Sequence, residues 1–209
     1  MKWFRLPLGP LQTNCYILVE DDGTCLIVDP GEEGSKLHQW LKEKKLSPQA
    51  ILLTHAHFDH IGAVDYIRDA FQIPVYIHAK ESKWLGDPYR NGSQSFMQPM
   101  IVKEADVVIH KEETLQIGLF NFSILETPGH SPGSVSYYFA QERIVVSGDA
   151  LFHQSIGRTD LYGGNHEQLL QSIHKKLLTL PEDTLVLSGH GPETIIEDEM
   201  DLNPFLNGF

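Results

Sequence analysis

Six consecutive residues, His55-Ala56-His57-Phe58-Asp59-His60, directly follow the apolar run Ala50-Ile51-Leu52-Leu53-Thr54. The run reads as a buried strand, so four ligand-type side chains emerge at or just beyond a strand end. His55 and His57 are two positions apart and point the same way only on extended backbone; on a helix they would face apart. Asp59 continues that side. His60 breaks the alternation, so the chain must turn near Phe58 to Asp59. The four side chains then divide naturally between two ions instead of crowding one.

Three later segments repeat the arrangement of an apolar strand, a glycine turn and a potential ligand. They lead to His130 after Ser123 to Gly129, to Asp149 after Ile144 to Gly148, and to His190 after Leu185 to Gly189. Ligands at strand ends converge on one sheet edge, held by rigid strands, and the glycines let the backbone approach closely. The seven candidates comprise five imidazoles and two carboxylates. That set suits zinc, iron or manganese in an open catalytic site and differs from a closed, thiolate-rich structural zinc site. The two cysteines, Cys15 and Cys25, are expected as small buried hydrophobes.

Around these motifs, short strands alternate with helical patterns. Strands are expected at 14–19 and 24–28 as a hairpin, then a helix over 34–46 ended by Pro48, and a strand over 50–54. A helix over 60–71 and a strand over 74–77 complete a strand-helix-strand unit. From Leu85 to about Asp106, Pro88, Gly92 and Pro99 interrupt any period, which predicts a long loop with a short helix. Strands follow at 107–109, 114–117, 120–126, 134–140 and 143–147. A helix over 166–179, with Asn165 as N-cap and Gln168 completing a capping box, precedes a last strand at 184–187. Two sheets with helices outside are expected.

The 209 residues, 41% of them hydrophobic, suffice for one domain with a substantial core. Sixteen Lys and Arg against 28 Asp and Glu give a net charge of −12, which repels phosphate backbones and excludes nucleic acid as an expected partner. No apolar run approaches the roughly 18 residues of a membrane span. Arg5 and Pro7 interrupt what a signal peptide would need as its apolar core, so the expected location is the cytoplasm, with no membrane partner. No residue pattern indicates an oligomeric state.

The chain resembles a metallo-β-lactamase-fold hydrolase of the glyoxalase II-like branch, as found in small bacterial members. The resemblance rests on His55 to His60, Thr127-Pro128-Gly129-His130, Ser147-Gly148-Asp149 and Gly189-His190-Gly191-Pro192, in order. Asp29-Pro30-Gly31 and Gly157-Arg158-Thr159-Asp160 extend it to nearly the whole chain. It implies an α+β fold, a four-layer αββα sandwich of two mixed β-sheets with helices on the outer faces, forming a single domain over 1–209. It also implies His55, His57 and His130 on one metal, Asp59, His60 and His190 on a second, and Asp149 bridging both. The cofactor expected is two divalent ions, zinc first, with iron or manganese as alternatives. The implied reaction is hydrolysis of a small-molecule thioester of the S-2-hydroxyacyl-thiol class by a metal-bridging hydroxide, oriented by Asp59. Full-length glyoxalase II enzymes carry a C-terminal helical region that contacts glutathione; here only 191–209 follow the last ligand, so a thiol other than glutathione is open. The tail Asn203-Pro204-Phe205-Leu206 again resembles the smaller members, and packing is its simplest role.

Other residues carry two readings. Asp29 could orient a ligand histidine or form an ordinary strand-end turn. Arg158 and Asp160 could shape the site or make a loop ion pair. Phe152 and His153, just past Asp149, could line a substrate pocket. His38, His78, His110, His166 and His174 lack ligand-like spacing and are expected at the surface or in packing.

The same residues are open to competing functions. Gly129-His130-Ser131-Pro132-Gly133 matches the nucleophile elbow of serine hydrolases, with Ser131 as nucleophile, but the following Ser134 to Phe139 alternates like a strand where that motif needs a helix. His55, His130 and Asp149 alone could form an Fe(II) facial triad, the arrangement of a persulfide dioxygenase, an alternative on the same fold. RNA processing is disfavoured by charge, and a non-catalytic metal-binding protein by the open ligand set.

Overall fold

The computed structural model describes residues 1–96 and 98–206. The chain divides into two compact units, the first formed by 1–110 with the hairpin tip 116–120, the second by 111–115 with 121–209.

The first unit holds a six-stranded mixed sheet. Strands β1 (Lys2–Leu8), β2 (Thr13–Val19) and β3 (Thr24–Val28) pair antiparallel in succession, β1 with β2 and β2 with β3. Helix α1 (Gly34–Glu43) crosses over to β4 (Ser47–Leu52), which pairs parallel with β3. Two short helices, α2 (Phe58–Ile61) and α3 (Val64–Phe71), lead to β5 (Val75–His78), parallel to β4. A connection containing α4 (Ser93–Phe96) then reaches β6 (Val107–Ile109), parallel to β5. Sheet order therefore follows chain order. Leu37 and Leu41 of α1, four apart, and Val64 and Ile67 of α3, three apart, put apolar faces into one core with Ile17, Ile27, Ile51 and Val75. Strand β2 is buried along its whole length, as expected of a strand deep in a sheet.

The second sheet consists of β7 (Thr114–Ile117), β8 (Phe120–Glu126), β9 (Val135–Phe139), β10 (Ile144–Gly148), β13 (Leu185–Ser188) and β14 (Thr194–Ile195), with β13 parallel to β10. A small hairpin of β11 (Leu151–Phe152) and β12 (Ser155–Ile156) follows β10. Helix α5 (His166–Ser172) precedes β13, and α6 (Ile196–Leu202) follows β14. In β8, buried Phe120, Phe122 and Ile124 alternate with exposed Asn121, the period-two signature of a half-buried sheet. The Asn165 side chain accepts from the Gln168 backbone N–H at 3.0 Å, so the expected N-cap forms. Beyond Ser172 the α5 helix widens into a π-turn over Ile173–Leu177, keeping Ile173 and Leu177 in the core with Leu169, Val145 and Val186.

Several elements differ from the sequence expectations. The expected helix over 60–71 is two helices, α2 starting earlier at Phe58 and the pair broken at Gly62-Ala63. Gly62 abuts the Gly31 carbonyl so closely that a Cβ there would lie 2.3 Å from its oxygen. Strand β1, unexpected from the sequence, is an edge strand with exposed Lys2, Phe4, Arg5 and Pro7, so burial leaves little pattern in it. Strand β4 begins at Ser47 and includes Pro48, so the segment that ends the helix already belongs to the sheet. The β11–β12 hairpin, β14 and α6 were also unexpected; β11, β12 and β14 are two residues each, too short to show a period. The long connection over 85–106 contains its short helix, α4; within it, Met97 lies outside the described residues, as does the tail beyond Leu206. Cys15 and Cys25 are buried free thiols, and burial pushes the Cys25 thiol up to about 12. No helix among the described residues is long and apolar enough to cross a membrane.

Candidate metal centre

In the first unit, the hexapeptide leaves β4 on extended backbone and enters α2 at Phe58. His55, His57, Asp59 and His60 are all buried. The chain does turn at Phe58 to Asp59, as the broken alternation required.

A carboxylate contributed by the end of β3 organises this cluster. Asp29 adopts the left-handed conformation (φ 50), which Asp tolerates better than most residues, immediately before Pro30-Gly31. Its Oδ1 accepts the Thr54 backbone N–H at 2.8 Å, and its Oδ2 accepts the Thr54 hydroxyl at 2.6 Å. Oδ2 also receives His60 Nδ1 at 3.0 Å. Because the Thr54 hydroxyl donates to Asp29, its oxygen accepts from His55 Nδ1 at 3.0 Å. Both rings therefore carry their proton on Nδ1 and present the Nε2 lone pair. This is the tautomer of a metal-binding histidine held from behind by a carboxylate or hydroxyl. Asp29, His55 and His60 place ligand atoms within 4.8 Å of one another, but the three hydrogen bonds on Asp29 make it a support for the imidazoles. Gly31 fits the same turn tightly: a Cβ there would lie 2.2 Å from the Asp59 carbonyl oxygen.

Asp59 is positioned separately. Its Oδ2 accepts the Thr13 hydroxyl at 2.8 Å and lies 3.5 Å from His60 Nε2.

In the second unit, His130, Asp149 and His190 follow β8, β10 and β13 and gather around one carboxylate oxygen. Asp149 Oδ2 is 3.5 Å from His130 Nε2 and 3.6 Å from His190 Nε2. His130 Nδ1 donates to the Arg158 carbonyl at 2.7 Å; a carbonyl only accepts, so this ring also presents its Nε2 lone pair. His130 and Asp149 are buried, whereas the His190 side chain is 31% exposed. Gly157 closes the cluster from below, where a Cβ would fall 1.9 Å from the Asp149 carbonyl oxygen and 3.3 Å from His130 Cβ.

The three nitrogen-to-carboxylate spacings, 3.5, 3.5 and 3.6 Å, exceed an ordinary hydrogen bond. They approach the edge of a tetrahedron around an ion with bonds of about 2.0–2.1 Å, an edge of about 3.3 Å. The donor set fits a borderline divalent ion in each cluster.

The remaining candidates separate clearly. Phe152 meets the His190 ring edge-on at 6.2 Å between centroids, so it flanks a candidate ligand. His153 instead lies 3.5 Å from the Thr194 hydroxyl and 3.7 Å from Glu199, a buried carboxylate that also accepts from Gln154 N–H and Asn203. Arg158 and Asp160 form an exposed two-pronged ion pair at 2.7 and 2.8 Å, which holds the Asp160 carboxyl down at about 2. It is the Arg158 main-chain carbonyl that meets His130. Ser131 is buried with its hydroxyl 2.7 Å from that of Ser134, and β9 follows in place of a helix, so the elbow context fails. His38 packs edge-on against Tyr66 and Phe71.

Two supporting residues escaped the sequence reading. Thr13 has no local signal, since its partner lies 46 positions away. Glu81, fully buried, accepts the Ala56 N–H at 2.6 Å.

Comparison with known proteins accounts for this arrangement. The model of the metallo-beta-lactamase superfamily matches residues 8–190. The probable metallo-hydrolase YqgX of Bacillus subtilis is 60% identical, covering 100% of this chain and 99% of the relative. The hydroxyacylglutathione hydrolase GloC of Haemophilus influenzae is 36% identical, covering 97% and 96%. A crystal structure of the BLEG-1 B3 metallo-beta-lactamase superposes with a TM-score of 0.98 at 58% identity, covering 99% of this chain and 100% of that one.

Proposed function

The chain belongs to the metallo-beta-lactamase superfamily and is a metal-dependent hydrolase, and we propose that it cleaves a small-molecule thioester of the S-2-hydroxyacyl-thiol class. In this reading His55, His57 and His130 would hold one divalent ion, Asp59, His60 and His190 would hold a second, and Asp149 would be a further carboxylate ligand.

The carrying observation is the repeated 3.5–3.6 Å spacing of imidazole Nε2 from carboxylate Oδ2, with Nδ1 of His55, His60 and His130 engaged from behind. When bound, divalent ions at such a site lower the pKa of a coordinated water toward neutrality and polarise an acyl carbonyl. The chain's own residues supply orientation. Asp59, braced by the Thr13 hydroxyl, is the group to orient the attacking water and take its proton. Phe152 beside His190 offers apolar surface to the substrate. The thioester class is supported by the 36% identity to GloC over nearly the whole of both chains.

The test pairs metal content of anaerobically purified protein with hydrolysis of S-lactoylglutathione. Two zinc or manganese ions per chain with chelator-sensitive turnover are expected. One iron per chain, with oxygen consumed in the presence of a thiol persulfide, would replace the reading by dioxygenation. A second reading, β-lactam amide hydrolysis, is favoured by the 58% identity to BLEG-1. Nitrocefin turnover faster than thioester turnover would select it.

A further inference from the structure

The hexapeptide runs beyond its sheet with its alternate N–H groups secured one by one. Leu53 N–H still bonds across to the Tyr76 carbonyl of β5 at 3.0 Å. Beyond it, Thr54 N–H goes to Asp29 Oδ1 at 2.8 Å, Ala56 N–H to Glu81 Oε2 at 2.6 Å, and Phe58 N–H to the Asn91 carbonyl at 3.0 Å. Side chains of 55, 57 and 59 alternate with these bonds, so the first fixes the approach to His55 and the other two set the pitch of the peptide between successive candidate ligands. The middle one stands between His55 and His57.

Glu81 is suited to that task. It lies in the turn after β5, its side chain fully buried, with its own N–H on the His78 carbonyl at 3.0 Å and its carbonyl accepting Trp84 N–H at 2.8 Å. The Trp84 ring, itself buried, lies 6.2 Å from the His57 ring. With its main chain anchored on both sides and its side chain buried, Glu81 has little room to move the carboxylate that binds Ala56, and Ala56, also fully buried, has only its peptide to be held by.

We propose that Glu81 is a positioning residue for metal uptake, fixing the Ala56 peptide and through it the angle between the His55 and His57 rings. This rests on the reading of His55 and His57 as ligands. Supporting groups of ligands commonly contribute about 10–100-fold in metal affinity.

The experiment is zinc titration by calorimetry, together with the visible spectrum of the cobalt(II)-loaded protein and its thermal melting, on the full chain. Glu81→Ala is expected to bind zinc at least about tenfold more weakly, with altered cobalt bands. Glu81→Gln, which keeps an acceptor oxygen at the same reach, is expected to restore both. A folded Glu81→Ala protein with wild-type affinity and cobalt spectrum overturns the proposal. If Glu81→Ala does not fold, Glu81→Asp, one methylene shorter, is compared with Glu81→Gln: weaker binding by the Asp variant is expected, and equal binding overturns the proposal. Wild-type protein that binds no zinc and no cobalt refutes the ligand reading itself, and the proposal with it.

Discussion

Asp29 and His60, 31 positions apart in the chain, share a 3.0 Å hydrogen bond from ring Nδ1–H to carboxylate. The same carboxylate holds Thr54, which holds His55, so one acidic side chain sets the tautomer of two imidazoles. Asp29→Asn preserves volume but turns an amide donor either toward the Thr54 N–H or, in the flipped orientation, toward both the Thr54 hydroxyl and the His60 Nδ1–H. In the flipped orientation His60 would have to move its proton to Nε2 and lose its lone pair there, and in either orientation the charge that holds both imidazoles is gone. Zinc affinity is expected to fall by about 10–100-fold, with stability reduced by ~1–3 kcal/mol. Calorimetric titration and thermal melting check this; unchanged zinc binding would sink the assignment.

Thr13→Val removes the hydroxyl that braces Asp59 Oδ2 while keeping the side-chain shape. The expected result is a several-fold to tenfold drop in kcat with little change in KM, and a stability loss of ~1 kcal/mol. Steady-state kinetics distinguish this from a substrate-binding role, which would move KM alone.

Much of this site is legible in the residues themselves. The order of His55 to His60, and of the three strand-glycine segments that follow, already marks the candidate ligands, because ligand chemistry restricts residue type. Asn165 and Gln168 carry their cap because it is local. Glu81 and Thr13 leave no trace, since one meets a main-chain amide 25 positions away and the other a carboxylate 46 away. Strand β1 is equally silent: pairing with β2 makes it a strand, while its exposed faces give no periodic pattern. The requirement for glycine at the α2–α3 break is equally hidden: a Cβ at Gly62 would lie 2.3 Å from the Gly31 carbonyl oxygen, a tertiary contact.

Gly157→Ala tests close packing beneath a ligand pair. With the added Cβ directed 1.9 Å from the Asp149 carbonyl oxygen, the backbone must shift. A destabilisation of ~1–3 kcal/mol is expected, together with metal loss at lower chelator concentration. A variant with wild-type melting temperature and chelator resistance contradicts it.

The Arg158–Asp160 pair predicts an acid-range titration. Hydrogen bonding from Arg158 holds the Asp160 carboxyl at about 2, below its ordinary 3.8. A depressed folded value means the contribution of the pair is present above about pH 3.8 and is lost as pH falls toward about 2. Carboxyl NMR should show that midpoint in the wild type and its return toward 3.8 in Arg158→Gln. A wild-type midpoint already at 3.8 would refute the pair.

Ser131→Ala is expected to retain wild-type turnover, because its hydroxyl is buried against Ser134. EDTA is expected to abolish turnover in both proteins. Loss of activity in Ser131→Ala with full metal content would reopen the serine reading.

The three bonds that secure 54, 56 and 58 come from residues 29, 81 and 91. Synthesis proceeds from the N-terminus, so His55 to His60 leave the ribosome with Asp29 already made and with Glu81 and Asn91 still to come. A chain halted in that interval carries its histidines on backbone that two of the three holders have not yet reached. The backbone that carries the candidate ligands is therefore held along its whole course only once residue 91 has been made and folded back onto Phe58.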